Sequence, residues 1–132
     1  LLLSFNRYLA VIAGDYIDEL LKYKLIRKIG FGAISPKWQN LSIETCSDAA
    51  KSVNRATGYF KILDATLGRR FDEKISEKVP VTIIFGDSDN TLPGEKMKEK
   101  SLLPKHHNWF TIKNSGHAPM WDAVPEVIKI TE

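Results

Sequence analysis

The sequence has 132 residues, about the length of one domain, which argues against a multidomain machine or a repeat array. Hydrophobic residues make up 43% of it, enough for one core and too many for a disordered chain. The 19 basic and 16 acidic side chains leave a net charge of only +3 with no run of five like charges, so we expect no nucleic-acid partner.

The cysteine count and the first residues bear on the cellular location. Cys46 is the only cysteine, which excludes an internal disulfide framework and a cysteine metal site and suits a reducing, cytoplasmic location. The apolar start, which opens with three leucines, is interrupted after five residues by Asn6 and Arg7, so it is too short to span a bilayer and lacks the basic region of a signal peptide. We expect no membrane partner. The missing initiator Met suggests part of a longer product.

Helical patterns occupy the first half of the sequence. Residues 16–29 are predicted to form a helix with one buried face, on which apolar residues recur every fourth position: Ile17, Leu21, Leu25 and Ile29. Asp15 is placed to cap this helix and Gly30 to end it. A second helix is predicted to begin after Ser42, and a short segment follows it over residues 59–67. We expect residues 1–68 to form a helical region.

The pattern changes in the second half, residues 69–132. Residues 81–85 form an apolar, β-rich run between Pro80 and Gly86, which predicts a strand covered on both faces of a parallel sheet. A charged segment over residues 94–103 predicts a helix, residues 109–112 predict a second strand, and Pro125 opens a terminal helix. His106 and His107 are predicted to be surface residues of a polar connection. The order predicts an α/β fold with a parallel β-α-β-α unit.

Acidic and basic side chains follow the two predicted strands. Asp87 and Asp89 come directly after the first strand, and His117 lies in the loop after the second. Because neighbouring parallel strands end at the same edge of a sheet, we expect a carboxylate and the imidazole to meet there. A carboxylate that accepts a hydrogen bond from an imidazole fixes its tautomer and stabilises the imidazolium. The sequence therefore predicts a general base, which still requires a nucleophile.

The segment from Val79 to Ile130 resembles the α/β-hydrolase fold enzymes, which include esterases, lipases, epoxide hydrolases and carbon–carbon bond hydrolases. The resemblance is carried by Val79-Pro80-Val81, the Gly-x-x-Asp turn at 86–89, Leu92-Pro93, Ser115-Gly116-His117 and Trp121-Asp122-x-x-Pro125. It implies that Asp89 is the catalytic acid residue and His117 the base, with Asp87 as the competing acid. It also implies that the helical first half is the lid or cap, and that the substrate is a small ester-like or related molecule, with no cofactor and no metal. Met120 and Trp121 would pack the histidine loop or line the substrate pocket.

The sequence departs from this family at the nucleophile. The family places its nucleophile in a Gly-x-Nuc-x-Gly elbow upstream of the cap. The spacing of Gly30 and Gly32 is wrong, Ser35 precedes Pro36 in a loop with no strand before it, and Cys46 lies on the apolar face of a predicted helix. The chain is therefore expected to carry the acid and the base of a triad without its nucleophile, and to be inactive in acyl transfer on its own.

The same aspartates allow a second interpretation. Asp87-Ser88-Asp89-Asn90-Thr91 resembles the Asp-x-Asp-x-Thr signature of haloacid-dehalogenase-type phosphatases, which use a nucleophilic aspartate and magnesium. Too few residues follow Thr91 for the remaining motifs of that family, and the loop at His117 stays unexplained. A calcium loop is excluded because Leu92 and Lys98 occupy the glycine and glutamate positions that such a loop requires.

A third interpretation is a non-catalytic hydrolase remnant that acts as an oligomerising structural module. Two parallel strands do not form a self-sufficient sheet, and the first strand would leave unpaired backbone groups on an apolar edge. We therefore expect a homo-oligomer or association with a missing amino-terminal half.

Overall fold

A computed structural model describes residues 2–69, 73–92, 94, 98, 100–101 and 103–132, without the side chains of residues 2–4 and 6. The chain mixes helices with a two-stranded parallel sheet. It divides into two compact units, one formed by Leu1–Gly32 with Trp38–Arg70 and the other by Ala33–Lys37 with Phe71–Glu132. Within the described part of the chain, no helix combines the length and the apolar character that crossing a membrane requires.

The first unit is helical. Its helices are α1 (Leu2–Ala13), α2 (Ile17–Leu20), α3 (Lys24–Phe31), α4 (Ile43–Arg55) and α5 (Tyr59–Thr66), with short 3-10 turns at Gly14–Tyr16 and Trp38–Asn40. Helix α4 packs against α1 and α2. The buried apolar side chains of this unit are Ala10, Ala13, Ile17, Leu21, Phe31, Leu41 and Cys46. Four of them, Ala10, Ala13, Ile17 and Cys46, lie on α1, α2 and α4, and the core also includes Phe31 of α3.

The prediction of one helix over residues 16–29 is wrong. The chain turns at residues 21–23, between α2 and α3, and α3 continues past Gly30 to Phe31. Ile17 and Leu21 are buried, but Leu25 is 67% and Ile29 45% exposed. The break rotates the second half of the repeat away from the face of the first, since side chains share a face only along an unbroken helix. Asp15 lies in the 3-10 turn, and α2 begins without a side-chain cap.

The prediction of a helix after Ser42 is confirmed. The Ser42 hydroxyl accepts a hydrogen bond from the Thr45 amide at 3.0 Å and so caps α4, satisfying an amide that lacks a partner within the helix. Cys46 lies on the inner face of α4 and is fully buried. Helix α5 ends one residue before the predicted end of its segment.

The second unit contains strands β1 (Val81–Gly86) and β2 (His107–Ile112) and helices α6 (Pro119–Asp122) and α7 (Val124–Thr131). The strands are parallel, in a register that runs from Val81 opposite His107 to Gly86 opposite Ile112. The predicted strands and the predicted terminal helix are thus present. Of the predicted helix over residues 94–103, the structure describes residues 94, 98, 100, 101 and 103, and none of these is helical. The other five positions lie outside the described residues.

Strand β1 is not covered on both faces, contrary to the prediction. Thr82 is exposed, and Val81, Ile83, Ile84 and Phe85 are only half-buried. Full cover of both faces needs packed layers on each side, and the sheet that the structure describes has only these two strands. On one face, the Phe85 and Trp109 rings stack with their centroids 5.0 Å apart.

The two neighbouring histidines are not simple surface residues. His107 begins β2, and both His106 and His107 are half-buried. The Nδ1 atom of His107 lies 2.7 Å from the carbonyl oxygen of Pro104, and Nε2 of His106 lies 3.1 Å from that of Val79. These contacts place both rings near the amino-terminal ends of the two strands, opposite to the loops that follow the strands.

Candidate active site

The loops that follow β1 and β2 are joined by backbone hydrogen bonds. The Asp87 amide donates to the carbonyl of Ile112 at 3.0 Å, and the Ser88 amide donates to that of Ser115 at 2.9 Å. These bonds extend the pairing of the strands by two residues beyond the sheet. The turn that carries Asp89 and the loop that carries His117 are therefore held side by side.

Two glycines permit this close approach. A Cβ atom on Gly86 would overlap the carbonyl oxygens of Ser115 and Gly116, and a Cβ atom on Gly116 would overlap the carbonyl oxygen of Ile34. The atoms that each new Cβ would overlap most closely belong to the backbone, so a change of side-chain rotamer cannot relieve the overlap. Asn114 supports the same loop with a left-handed conformation at φ 52°, one that Asn adopts more readily than most residues.

The predicted contact between the carboxylate and the imidazole is present. Nδ1 of His117 lies 3.0 Å from Oδ2 of Asp89. The His117 side chain is 38% exposed and that of Asp89 only 1%. Because an ionised carboxylate only accepts hydrogen bonds, Nδ1 carries the proton and donates it to Asp89. Nε2 is then the nitrogen that can take a proton from another group.

Asp89 is buried as a carboxylate. Its other oxygen, Oδ1, accepts hydrogen bonds from the Thr91 amide at 2.8 Å and the Leu92 amide at 2.9 Å. Burial alone raises the pKa of Asp89, but the bonds from Leu92, His117 and Thr91 together outweigh it and hold the pKa below its ordinary value of 3.8. The group is therefore ionised at neutral pH.

Asp87 does not take this place. Its side chain is exposed, and its carboxylate accepts a hydrogen bond from the Ser88 hydroxyl at 2.8 Å. The two aspartates of the turn differ in burial, because the Asp87 side chain lies in solvent whereas the Asp89 side chain is buried and binds the amides of Thr91 and Leu92. Of the two candidate acids, the structure brings Asp89 to His117.

The segment Ala33–Lys37 packs against the histidine loop within the second unit. The His117 amide donates to the carbonyl of Ile34 at 2.7 Å. Ser35, considered in the sequence only as a nucleophile, is fully buried, and its hydroxyl donates to Oδ1 of Asp122. The Lys37 amide donates to the Ser35 oxygen at 3.0 Å, so this hydroxyl is engaged both as a donor and as an acceptor.

Asp122 joins the histidine loop to the segment Ala33–Lys37, a contact that the sequence did not predict. Its Oδ2 atom accepts a hydrogen bond from the Gly116 amide at 2.7 Å, and its carbonyl accepts one from Nζ of Lys37, also at 2.7 Å. The only sequence signal was an acidic residue shortly after the histidine, within the resembling tail. Its partner Ser35 lies 87 positions earlier, beyond the reach of any local pattern.

The two candidate substrate-binding residues lie on α6, which begins two residues after His117. Met120 is 56% exposed and Trp121 is half-buried. Their part in lining a substrate pocket stays a prediction.

Comparison of the chain with protein-family models, with curated proteins and with solved structures finds no match. Among the residues that the structure describes, no group of three His, Cys, Asp or Glu side chains is arranged to hold a metal ion. The geometry of the site is that of an imidazole oriented by a hydrogen bond to a buried carboxylate.

Substitution of Gly116 tests the packing of the loops. We expect Gly116→Ala to lower the free energy of unfolding by about 1–3 kcal/mol or more, because the new methyl group overlaps backbone. Gly30→Ala is the matched control, since Gly30 lies in helix α3 with open space around it and should be neutral or stabilising by about 0.5–1 kcal/mol. Urea unfolding measures both variants, and equal stabilities would contradict the close approach.

The buried carboxylate predicts a pH dependence of stability. The unfolded chain binds a proton at Asp89 near pH 3.8, whereas the folded chain binds it only at lower pH. Asp89 therefore stabilises the fold fully above that value, and the contribution is lost as the pH falls through the folded pKa.

We expect Asp89→Asn to have a lower free energy of unfolding than the unmodified chain near neutral pH. This difference in stability, the gap between the two chains, should narrow as the pH falls below 3.8. Urea unfolding at a series of pH values measures the gap, with Asp87→Asn as the exposed control. A gap that stays constant across this range would show that Asp89 is not held as a carboxylate.

Proposed function

We propose that Asp89 and His117 are the acid and the base of a hydrolytic site of the α/β-hydrolase type, which acts on a small ester-like or related molecule. The observation that carries the proposal is the 3.0 Å contact between Asp89 and His117, at the ends of two parallel strands. The resemblance of residues 79–130 to that family supports it independently of the geometry.

The proposed chemistry follows from the roles of the two ring nitrogens. As a nucleophile attacks the carbonyl carbon of the substrate, Nε2 of His117 accepts the proton that the nucleophile loses. Asp89 stabilises the resulting imidazolium through the bond at Nδ1, and the ring then gives its proton to the leaving group. The 38% exposure of the His117 side chain leaves the ring accessible to reactants, while the buried Asp89 stays out of their reach.

The nucleophile is proposed to come from a polypeptide segment outside these 132 residues. No Gly-x-Nuc-x-Gly elbow occurs in the sequence. Ser35 is fully buried with its hydroxyl donated to Asp122, so it cannot serve. Cys46 is also fully buried, and this burial raises the pKa of its thiol, which disfavours the reactive thiolate. We therefore propose that the chain alone does not catalyse acyl transfer.

The phosphatase interpretation is less well supported by the same geometry. It requires Asp89 to exchange a proton with a bound phosphoester and Asp87 to attack phosphorus. The Asp89 side chain is only 1% exposed, and both of its oxygens are engaged by His117 and by the amides of Thr91 and Leu92. The hydrolase proposal accounts for these bonds, whereas the phosphatase proposal leaves the histidine without a part.

A non-catalytic, oligomerising module is the second proposal, and the sheet favours it. Within the described part of the chain the sheet has only two strands, and β1 is half-buried along most of its length despite its apolar sequence. A parallel pair with exposed flanks offers unpaired backbone groups that another strand can use. A second copy of this chain, or a missing amino-terminal half, is proposed to satisfy them.

Ester hydrolysis tests the first proposal. The 132-residue chain should hydrolyse a nitrophenyl ester no faster than free imidazole does. A longer protein in which a glycine-flanked nucleophile precedes Leu1 should be active. In that protein His117→Ala and Asp89→Asn should each lower kcat by about 10⁴-fold or more, because the first removes the base and the second favours the wrong tautomer.

Asp87→Asn is the matched control for that assay, since Asp87 lies in the same turn but in solvent. It should leave kcat within about twofold, as an exposed surface change does. Turnover that survives in His117→Ala would remove the assignment of the base.

Oligomer size tests the second proposal. We expect size-exclusion chromatography with light scattering to give a dimer or a larger assembly at micromolar concentration, because pairing would cover the flank of β1. A stable monomer at that concentration would contradict the proposed module.

A further inference from the structure

Two hydrogen bonds hold the backbone amides of Gly116 and His117, and a third joins their acceptors through Ser35 and Asp122. The Gly116 amide donates to Oδ2 of Asp122, the Ser35 hydroxyl donates to Oδ1 of the same carboxylate, and the His117 amide donates to the carbonyl of Ile34. Ile34 and Ser35 are neighbours in sequence, as are Gly116 and His117. The bonds therefore join the segment Ala33–Lys37 to the histidine loop in two ways, directly from His117 to Ile34 and through the bridging carboxylate of Asp122.

We propose that Asp122 is a positioning residue that fixes the backbone of His117 so that its imidazole meets Asp89. The inference rests on the proposed function, since it gives Asp122 a part in the same site. Asp122 acts through the Gly116 amide and does not touch the reacting groups. Supporting partners of this kind decide how precisely a catalytic side chain is held.

These hydrogen bonds restrain the backbone at His117 because the two successive amides of Gly116 and His117 have separate acceptors. With the Gly116 amide bound to a carboxylate at 2.7 Å and the His117 amide bound to a carbonyl at 2.7 Å, the peptide between them cannot rotate without breaking a bond. The rotations that still orient the imidazole are then the backbone φ angle of His117 and its two side-chain torsions. The bond at Nδ1 to Asp89 then fixes those torsions.

The chemistry of the bridge suits a carboxylate better than any other side chain. Both donors that reach Asp122 through its side chain, an amide and a hydroxyl, require acceptors, and an ionised carboxylate offers two oxygens with no hydrogen of its own. Hydrogen bonds to a charged acceptor are also stronger than neutral ones. Asn would keep the shape but present an NH₂ group to one of the two donors.

The second anchor of the bridge is equally specific. Ser35 is fully buried, and its oxygen accepts the Lys37 amide while its hydrogen is donated to Asp122. Lys37 also reaches the Asp122 carbonyl through Nζ at 2.7 Å. Gly116 fits against Ile34 only because it lacks a Cβ atom. The segment Ala33–Lys37 thus serves as a fixed support for the histidine loop.

The experiment measures the exchange with water of the Nδ1 proton of His117 by ¹⁵N–¹H NMR of the 132-residue chain. In the unmodified chain this proton should be protected by its bond to Asp89. Asp122→Asn should speed its exchange by about tenfold or more, the effect of losing one hydrogen bond to a charged group. Ser35→Ala should speed it less, because the Gly116 bond remains.

Two controls separate positioning from general destabilisation. Asp87→Asn changes an exposed carboxylate in the turn of Asp89 and should leave the exchange unchanged. Trp109→Ala removes the ring that stacks on Phe85 and so lowers the stability of the same unit without changing a residue of the site. It should also leave the Nδ1 exchange unchanged, whereas a purely structural effect of Asp122 would be matched by this variant.

Unchanged exchange in a folded Asp122→Asn chain would overturn the inference while leaving the proposed function in place. Should Asp122→Asn fail to fold, as judged by circular dichroism, Ser35→Ala decides: faster exchange supports the bridge and unchanged exchange overturns it. An unprotected Nδ1 proton in the unmodified chain would instead contradict the Asp89–His117 contact, and with it both the hydrolase proposal and the part given to Asp122.

Discussion

The burial of one carboxylate is the constraint on which the second unit depends. A charged group out of contact with water is costly unless its oxygens are hydrogen-bonded. Asp89 meets this requirement with two amides of its own turn at one oxygen and with His117 at the other. The turn after β1 and the loop after β2 therefore cannot be arranged independently, because the charge of one needs the ring of the other.

The surrounding backbone enforces that arrangement. Parallel pairing of β1 and β2 continues past the sheet through the amides of Asp87 and Ser88, and glycine at positions 86 and 116 leaves space for the chains to touch. The Ala33–Lys37 segment closes the other side of the histidine loop. The result is a partly exposed imidazole whose Nδ1 atom is hydrogen-bonded to Asp89.

The elements that the sequence predicted well are those with local causes. The strand at residues 81–85 is marked by its β-branched run between Pro80 and Gly86, and α4 is marked by its Ser42 cap. The Asp89–His117 contact was predictable because neighbouring parallel strands end at a common edge. What these elements share is that a few adjacent residues, or one rule of topology, determine them.

The features that escaped the sequence depend on distant partners. The repeat of Ile17, Leu21, Leu25 and Ile29 favoured one helix, but the turn at residues 21–23 breaks it and leaves the later two side chains exposed. The bond of Ser35 to Asp122 joins residues 87 positions apart, so no local pattern announces it.

The most direct test of the account is the pKa of the Asp89 carboxyl, followed by ¹³C NMR in the unmodified chain and in His117→Ala. We predict a pKa below 3.8 in the unmodified chain and a higher pKa in the variant, because the bond from the imidazole favours the ionised form. An Asp89 pKa that is the same in both chains would show that the carboxylate and the imidazole do not interact, and would contradict the central claim.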